Sequence, residues 1–415
     1  MAQPACTPTE PRMDLKSGYP YWAIKNGLMH AFPPLQEDLR CDVVVIGAGI
    51  TGALIADELS NHGHAVVVLD QRDAGWGSTS ASTALLQYEI DTHMVDLAEQ
   101  YGEENAVLAY RSCADAIDML ADKASSLKKV DFSRMQSLYY ASNKRHRKDL
   151  RHEFELREKH GFDVSWLEPD EVQAVYGFDA PCAILSGKAA RVDPYQLAYG
   201  LLERIERNGA RIHDRSPVAR ILANARGVEV HTTQGAVVNA KYLVMAAGYE
   251  SQRFISQRVA QNRSSYAFIT DPIAAEVLGP LSSTMVWESA RPYLYMRTTS
   301  DNRLLVGGDD DTVDIPAKRD ALVKRKVRKL AEKVAKLFPE VPVEPAFAWG
   351  GTFAETEDGL PWFGAHEQHG PRVLFAMAYG GNGITYSMLG AGLLRAQIER
   401  KKHPLSALFG FSRAK

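Results

Sequence analysis

A glycine-rich turn between two apolar runs constrains the fold of this chain more than any other feature. The hexapeptide GAGITG, residues 47–52, follows an apolar run that ends at Ile46 and opens a helix-like segment over 50–62. A second apolar run, 65–69, ends at Asp70. The order strand, GxGxxG turn, helix, strand and acid is typical of a dinucleotide-binding βαβ unit. The sequence therefore predicts an α/β fold that contains a Rossmann-like domain.

Each part of this unit has a physical role. Gly47 allows the tight turn, Gly49 lets the backbone approach a pyrophosphate, and Gly52 lets the helix pack close to the strand. The helix N-terminus offers N–H groups to phosphates. Asp70, 18 residues after Gly52, can accept hydrogen bonds from ribose hydroxyls and would repel a 2′-phosphate, which disfavours NADP. This pattern alone does not distinguish FAD from NAD.

Composition excludes several classes of protein. The net charge of −3 provides no positive field that would attract nucleic acid. The four cysteines form no CxxC pair and no His/Cys cluster has metal-ligand spacing, so we predict no metal site. No apolar run reaches about 18 residues and the N-terminus has no leader-like apolar segment. We therefore expect no transmembrane segment and a cytoplasmic protein.

The length of 415 residues predicts two domains, and strand-rich blocks interrupt the α/β blocks, so their chain segments should interleave. The second, substrate domain is expected to contain a large mixed or antiparallel sheet with helices. The predicted ranges are an N-terminal arm over 1–39, a dinucleotide-binding domain over 40–130, 188–253 and 350–402, a substrate domain over 131–187 and 254–349, and a C-terminal tail over 403–415. Tyr19, Tyr21 and Trp22 should anchor the otherwise irregular arm.

Hydrophobic periodicity predicts the remaining elements. Helices are expected over 96–125, 144–160, 193–207, 317–338 and 386–400. Strands are expected over 210–213, 227–232, 236–239 and 242–246. The β-like runs YLYMRT and RLLVGG are joined by a turn at Asp301-Asn302.

Three later segments favour FAD over NAD. Residues 75–83 form a small, hydroxyl-rich loop that can donate hydrogen bonds to a pyrophosphate. Residues 246–248, Ala-Ala-Gly, end a strand and allow close backbone approach to a ligand. Residues 380–385, GGNGIT, open the last helix, whose N-terminus can stabilise negative charge on a reduced flavin. A plain NAD domain has no need for this last feature.

At this point the chain resembles the D-amino-acid oxidase / glycine oxidase family of FAD-dependent oxidoreductases, and within it the group that contains gamma-glutamylputrescine oxidase. The similar segments are VVVIGAGITG with Asp70, RVDPYQLAYGLLERIERNGARIHDRSPV, YLVMAAGYES, RLLVGGDDD and AWGGTFAETEDGLPWFG followed by GGNGIT. They occur in the family's order over roughly residues 20–400. The resemblance implies a GR2-type FAD-binding domain.

The resemblance also implies cofactor contacts. The glycine turn would wrap the pyrophosphate, Asp70 would bind the adenosine ribose, Val218 would offer its backbone to the adenine, and residues 382–385 would meet the isoalloxazine edge. The full predicted FAD set is Gly47, Gly49, Ile50, Thr51, Gly52, Asp70, Gln71, Ser78, Thr79, Val218, Ala247, Gly248, Gly381, Asn382, Gly383, Ile384 and Thr385. Sarcosine-oxidase-type members attach flavin to a cysteine near the position of Gly350-Gly351, and no cysteine follows Cys182, so FAD should be non-covalent.

The implied chemistry is oxidation of the C–N bond of an amine or amino acid by hydride transfer to flavin N5, which gives an imine that water hydrolyses. A substrate carboxylate would need an arginine, and Arg297 is the first candidate, ahead of Arg303 and Arg291. Tyr295 alternates with Arg297 along one strand face and should line the same pocket. Trp349 is expected beside the flavin ring. Oxygen or a quinone would reoxidise the flavin.

Three other hypotheses compete with this one. An NAD-linked dehydrogenase would use the same glycine turn. A flavin-dependent tRNA-modification enzyme would contain a domain of this family, but no basic patch or RNA-binding module is visible. A flavoprotein-fold scaffold without catalysis is disfavoured by the intact glycines. The acidic cluster of Glu355, Glu357 and Asp358 is interpreted as a solvated turn.

Overall fold

The computed structural model describes residues 14–128, 130–313 and 315–414. Within these residues the chain forms two β-sheets and eleven α-helices. The strands are β1 (Lys16–Gly18), β2 (Leu39–Ile46), β3 (Val66–Leu69), β4 (Leu85–Leu86), β5 (Phe132–Tyr140), β6 (Val164–Leu167), β7 (Ala183–Val192), β8 (Arg211–His213), β9 (Val218–Ala223), β10 (Val228–Thr232), β11 (Val237–Met245), β12 (Gln261–Thr270), β13 (Thr284–Glu288), β14 (Leu294–Thr298), β15 (Leu304–Asp311), β16 (Pro345–Glu355), β17 (Trp362–Ala365) and β18 (Val373–Met377). The helices are α1 (Tyr21–Asn26), α2 (Ile50–Asn61), α3 (Ser78–Ala81), α4 (Met94–Tyr101), α5 (Glu103–Ser125), α6 (Arg147–Lys159), α7 (Pro169–Tyr176), α8 (Pro194–Arg207), α9 (Ala275–Leu278), α10 (Pro316–Leu337) and α11 (Gly383–Ile398).

The first sheet contains the predicted βαβ unit. Its strand order is β17-β18-β11-β2-β3-β8, with β9 and β10 joined to β11. Strands β18, β11, β2, β3 and β8 run parallel, and α2 connects β2 to β3. Apolar residues such as Val43, Val44 and Val45 occupy successive positions of β2 and are buried, as expected for a parallel strand covered on both faces. The Rossmann-like prediction is confirmed.

The second sheet is the predicted large mixed sheet. Its strand order is β1-β16-β12-β15-β14-β13-β5-β7-β4, and β6 pairs with β7. Neighbouring strands are antiparallel except for β5 and β13, which run parallel. Helix α10 packs on one face through Val327, Leu330 and Val334. The opposite face of the central strands of this sheet lines a cavity.

Several element predictions need correction. The helix predicted over 96–125 is two helices, because Gly102 has a φ of 85° between α4 and α5. The strands predicted over 236–239 and 242–246 are one strand, β11. Residues 144–146 form a 3-10 turn before α6. The helices predicted over 193–207, 317–338 and 386–400 are confirmed as α8, α10 and α11, the last beginning three residues early.

The predicted domain ranges remain a prediction, but two of their limits fall inside strands. Strands β7 and β16 lie wholly in the ten-stranded sheet, so limits at 187/188 and 349/350 cut through them. The arm is also more regular than expected, because β1 pairs with β16 and α1 follows it. Trp22 is fully buried and donates its Nε1–H to the carbonyl of Ser82 at 2.7 Å. Tyr19 is 68% exposed, and it contributes its backbone N–H, which donates to the carbonyl of Ala348 at 3.2 Å.

Candidate active site

Two adjoining cavities lie between the sheets. The larger, of about 430 Å³, lies beside the glycine turn, and the smaller, of about 250 Å³, reaches the ten-stranded sheet. Both cavities are lined by Ile50, Thr51, Ser78, Thr79 and Gly248. They therefore form one continuous space that runs from the end of β3 to the cavity-facing side of β14 and β15.

The glycine turn has the geometry that its sequence predicts. Gly47 has a φ of 113°, and a Cβ there would collide with the carbonyl of Ala246 on the adjacent strand end. A Cβ on Gly52 would collide with the carbonyl of Gly47. Gly52 does not line either cavity, so its function is to bring α2 against the turn. Gly47 and Gly49 line the larger cavity.

The start of α2 points into the shared part of the cavities. Thr79 Oγ1 accepts the backbone N–H of Ile50 at 2.9 Å. Thr51 Oγ1 lies 2.8 Å from Ser387 Oγ of α11, which ties the two helices together. The N-cap residue, Gly49, has no side chain that could cap the helix. Main-chain donors and the helix dipole are thus available to a phosphate at this place.

Asp70 orders the adenosine end of the larger cavity. Its Oδ2 accepts the N–H of Ala48 at 2.7 Å and its Oδ1 accepts the N–H of Arg72 at 2.8 Å. Burial raises the pKa of Asp70 to about 6, although these two hydrogen bonds oppose the shift. Each oxygen keeps a second lone pair, so the carboxylate can hold the turn and still accept a ribose hydroxyl.

Glu250 lines the larger cavity and was not predicted from the sequence. Its Oε1 pairs with Arg72 at 2.7 Å and its Oε2 accepts from Gln71 Nε2 at 2.9 Å, and all three line the larger cavity. Glu250 follows the Ala-Ala-Gly strand end, where no local motif marks it. Val218 and Ala247 line the same cavity, as expected.

The C-terminal glycine loop closes the other end of the space. Gly381, Asn382, Gly383 and Ile384 line the smaller cavity. The side chain of Asn382 donates to backbone carbonyls of the segment 87–89, so it positions the loop. Thr385 is buried away from both cavities and donates its hydroxyl to the carbonyl of Asn382 at 2.8 Å. The predicted contact of Thr385 with the cofactor has no support from the cavity lining and stays a prediction.

These residues fit FAD. The N-termini of α2 and α11, whose N-cap residues Gly49 and Asn382 make no side-chain cap hydrogen bond, face this space from opposite ends. A glycine cradle, the hydroxyls of Ser78 and Thr79 and the carboxylate of Asp70 lie between the adenosine end and the loop at 380–384. This donor set matches a pyrophosphate, a ribose and an electron-accepting ring in that order.

Aromatic side chains wall the smaller cavity beyond the glycine loop. Tyr295 lines it and its hydroxyl lies 3.3 Å from Ser265 Oγ. Burial raises the pKa of Tyr295 to about 12, so the phenol is neutral at physiological pH. Trp349 also lines it and donates its Nε1–H to the carbonyl of Ala81 at 2.8 Å. Both residues line this cavity, and their predicted places beside the flavin ring and the substrate stay predictions.

Arg297 does not line the cavity, and the prediction that it binds a substrate carboxylate is wrong. It is 1% exposed, and its Nε, Nη1 and Nη2 donate to the carbonyls of Thr83 (2.8 Å), Thr298 (3.1 Å) and Val192 (2.9 Å). Burial, reinforced by nearby Arg191, lowers the pKa of Arg297 to about 9. The period-two rule placed Arg297 on the same strand face as Tyr295. The Arg297 side chain is nevertheless buried beneath the cavity, and its donors bind backbone carbonyls.

Arg291, one of the two weaker candidates, is the arginine that lines the smaller cavity. Its Nη1 lies 3.2 Å from Glu355 Oε1, its Nη2 donates to the carbonyl of Asp91 at 2.9 Å, and its guanidinium stacks on Tyr293 at 4.5 Å. Glu355 lines the cavity too, so the solvated-turn interpretation of Glu355 is wrong. Arg303 lies elsewhere, paired with Asp301 at 2.8 Å.

Residues 42–397 match the family model described as DAO, FAD dependent oxidoreductase. The chain belongs to this family. It is 26% identical over 399 residues to the gamma-glutamylputrescine oxidoreductase of Escherichia coli K12, covering 92% of this chain and 89% of that one. It is 27% identical over 386 residues to the glycine oxidase of Geobacillus kaustophilus, covering 90% and 96%.

A solved structure shows the same fold. The crystal structure of glycine oxidase from Geobacillus kaustophilus superposes with a TM-score of 0.76 at 23% identity, over 90% of this chain and 98% of that chain. Family membership makes this chain an FAD-dependent oxidoreductase and excludes the alternative of an NAD-linked dehydrogenase. The cofactor prediction is thereby confirmed.

Carboxylates of the substrate end were not predicted from sequence. Glu89, Asp91 and Asp310 line the smaller cavity together with Glu355. Asp91 Oδ2 accepts the N–H of Gly381 at 2.8 Å, and burial raises the pKa of Asp91. Strand alternation did not mark Asp310 within the run GGDDD, because a β-bulge at Gly308 and Asp309 changes the face of the residues that follow.

Other candidate features lie outside the cavities. Among the described residues, no group of three or more His, Cys, Asp or Glu side chains could hold a metal ion. Cys41, Cys113 and Cys182 line neither cavity, and Cys6 lies outside the described residues. In the part of the chain that the structure describes, no helix is long and apolar enough to cross a membrane.

Proposed function

We propose that this FAD-dependent oxidoreductase oxidises the C–N bond of an amine or amino acid. FAD, when bound, accepts a hydride at N5 from the carbon that bears the nitrogen, and water hydrolyses the resulting imine. One observation carries the proposal: the space that begins at the dinucleotide turn continues into a compartment walled by Trp287, Tyr293 and Tyr295 and by carboxylates. Aromatic faces and carboxylates are the groups that attract an ammonium ion.

The residues that line the two cavities have distinct proposed roles. Those beside the glycine turn, at the end of β3 and at 381–384 bind FAD without a covalent bond. Trp349 and Tyr295 shape the compartment beside the flavin ring. Arg291 replaces Arg297 as the group that contacts a substrate carboxylate, because it is the arginine that lines the smaller cavity. Oxygen or a quinone accepts the electrons, in the cytoplasm.

The experiment follows the flavin absorbance of the purified protein without oxygen. Glycine, N-methylglycine, D-alanine, 1,4-diaminobutane and its gamma-glutamyl derivative are added separately, and bleaching identifies the substrate. Oxygen and a soluble quinone are then compared as oxidants of the reduced protein. A protein that holds FAD and is bleached by dithionite but by no amine or amino acid would contradict the proposal.

A further inference from the structure

Three consecutive aspartates end strand β15, and their side chains meet different surroundings. Asp309 pairs through Oδ1 with Lys329 at 2.5 Å and through Oδ2 with Lys326 at 3.2 Å. Asp311 Oδ2 lies 3.1 Å from Lys326. Both carboxylates therefore face the lysines of α10. The pairing of β15 with β12 shifts register at Gly308 and Asp309, which have positive φ, and this bulge changes the face of the residues that follow, so Asp310 faces away from α10 and lines the smaller cavity.

Asp310 is the member of this run without a cation. It forms no ion pair with any residue that the structure describes, and its Oδ1 is shielded from solvent without a hydrogen-bond partner. Ser265, on the neighbouring strand, lies beside the carboxylate. A buried carboxylate oxygen without a donor has unused capacity to accept a hydrogen bond.

The other carboxylates that line the cavity already have partners. Asp91 accepts the backbone N–H of Gly381 at 2.8 Å. Glu355 lies between two arginine side chains, at 2.9 Å and 3.2 Å. Both oxygens of Glu89 also lack a hydrogen-bond partner, but this carboxylate lies 3.9 Å from the buried cation of Arg157. Among the described residues, the central aspartate of the run on β15 is the cavity-lining carboxylate that has neither an ion pair nor a main-chain donor.

The surroundings of this aspartate suit an ammonium ion. Gly307 leaves room for the ring of Tyr295, with which a Cβ at position 307 would collide. The ring thus lies over β15, and its hydroxyl is held at 3.3 Å from Ser265. Trp287 and Tyr293 line the same compartment. Aromatic faces can stabilise one side of a cation while a carboxylate binds the other side of the same cation.

We propose that Asp310 binds the ammonium group of the substrate and accepts one of its protons, a role that rests on the proposed C–N oxidation. In this step one N–H bond of the ammonium ion breaks and an O–H bond forms on Asp310. The ion pair becomes a neutral amine and a neutral carboxylic acid, so charge is conserved. The neutral amine has the lone pair that stabilises the carbon as hydride leaves. Asp310 later releases its proton to water.

The charges around Asp310 support this role. Burial raises the pKa of Asp310 to about 7, and the carboxylates of Asp91 and Glu355 across the cavity raise it as well. The hydrogen bond with Ser265 and the charge of Lys326 on α10 oppose them. Below about pH 7 the group is protonated and cannot accept a proton from the substrate. A carboxylate with this pKa both accepts and releases a proton near neutral pH.

The test compares Asp310→Asn with Asp311→Asn, a matched change on the same strand whose carboxylate faces α10. The rate of anaerobic flavin bleaching is measured from pH 5.5 to 10 with the amine that bleaches the wild-type protein fastest. The wild-type rate should rise through a transition near pH 7. Asp310→Asn should lose this transition and be slowed about 10²- to 10⁴-fold at pH 7, with recovery as the free amine forms in solution. Asp311→Asn should retain the wild-type profile.

Several results separate this inference from the proposed function. If no amine bleaches the wild-type flavin, C–N oxidation itself fails. If amines bleach it and Asp310→Asn has the wild-type rate at every pH, the assignment to Asp310 alone is wrong. If Asp310→Asn does not retain FAD, the pH profile of the wild-type bleaching rate tests the assignment. A wild-type profile without a transition between pH 6 and 8 would overturn it. Asp310→Glu should retain a transition near neutral pH.

Discussion

A buried cluster beneath the substrate cavity provides a quantitative test of the structure. Arg157, Glu153 and Glu89 have fully buried side chains. Arg157 Nη2 and Nε lie 2.6 Å and 2.8 Å from Glu153 Oε1, and Nη1 lies 3.9 Å from Glu89. Glu153 also accepts the N–H groups of Met94 and Val95, which begin α4. Arg157→Met keeps the apolar stem but leaves two buried carboxylates without their cation.

The expected loss follows from the absence of solvent around the cluster. Removal of one partner from a buried ion pair costs about 3–5 kcal/mol, since the remaining charge has neither water nor a counter-ion. An unfolding entropy of about 2.1 cal/mol/K per residue gives roughly 0.9 kcal/mol/K for 415 residues. Arg157→Met should therefore lower the Tm by about 3–6 °C.

Arg151 on the same helix provides the control. It pairs with Glu155 at 3.1 Å, but these side chains are 47% and 57% exposed. An exposed i,i+4 pair contributes about 0.3–0.5 kcal/mol, so Arg151→Met should change the Tm by less than about 1 °C. The assay is thermal unfolding of both variants in saturating FAD. Equal Tm values for the two variants would refute the reasoning.

The pH dependence of Arg157→Met tests the cause. In the wild-type protein burial works to raise the pKa of Glu153, but Arg157 and its other partners together hold it below the usual value. Without Arg157, burial raises the pKa of Glu153 above its value in the unfolded chain. Between these two pKa values, the folded state binds more protons than the unfolded state does. Stability is then lost as pH rises through this window. The Tm difference from wild type should shrink when the pH falls from 7.5 to 5.5.

Three further changes give distinct expected outcomes. Asp70→Asn turns an amide NH₂ toward one of two backbone N–H donors, which leaves that donor unpaired at a cost of about 1–3 kcal/mol. The FAD affinity, measured by fluorescence titration, should therefore fall about 10- to 100-fold. The control is Asp73→Asn, a change at a more exposed carboxylate, which should have no effect on the FAD affinity. Arg297→Met should lower the Tm, because the donors of Arg297 bind backbone carbonyls. The ratio of KM values for carboxylate-bearing and carboxylate-free amines should stay within about twofold of wild type. A selective rise in KM for the carboxylate-bearing amine would instead restore Arg297 as a substrate ligand. Trp349→Phe removes one hydrogen bond, worth about 1 kcal/mol, to the carbonyl of Ala81 in the segment that lines both cavities. FAD should therefore bind about fivefold more weakly. An unchanged FAD affinity would mean that this hydrogen bond does not hold the segment in place.

The sequence predicted well those features that depend on local chemistry. The βαβ unit requires small residues at fixed spacing, and collisions of a Cβ at Gly47 and Gly52 with backbone carbonyls show why. Helix α8 begins where Asp193 precedes Pro194, and the Asp193 side chain accepts the N–H groups of Tyr195 and Gln196. These are interactions between residues within a few positions of one another, so a pattern can encode them.

Features that depend on long-range packing were missed or misassigned. Strand alternation put Tyr295 on the correct face, but it contains no information about depth, and Arg297 two residues later is buried beneath the cavity. Glu250 meets Arg72, 178 positions away, through a contact that only the assembled sheet creates. Gly102 ends α4 within an otherwise continuous apolar period, because its φ of 85° is compatible with glycine but not with a continuing helix.

The contrast between Arg297 and Asp310 shows which buried charges indicate a ligand site. They lie on adjacent strands, β14 and β15; Arg297 is buried, and Asp310 is half-buried with its Oδ1 shielded from solvent. Arg297 has three donors satisfied by backbone carbonyls, so a substrate would have to compete with the fold for them. Asp310 retains an oxygen without a partner, which costs about 1–3 kcal/mol in the folded protein. An ammonium ion in the cavity would recover that cost. Glu89 has unmet oxygens as well, but the cation of Arg157 lies 3.9 Å away, so the lack of both a donor and a counter-ion points to Asp310 as the group that meets the substrate.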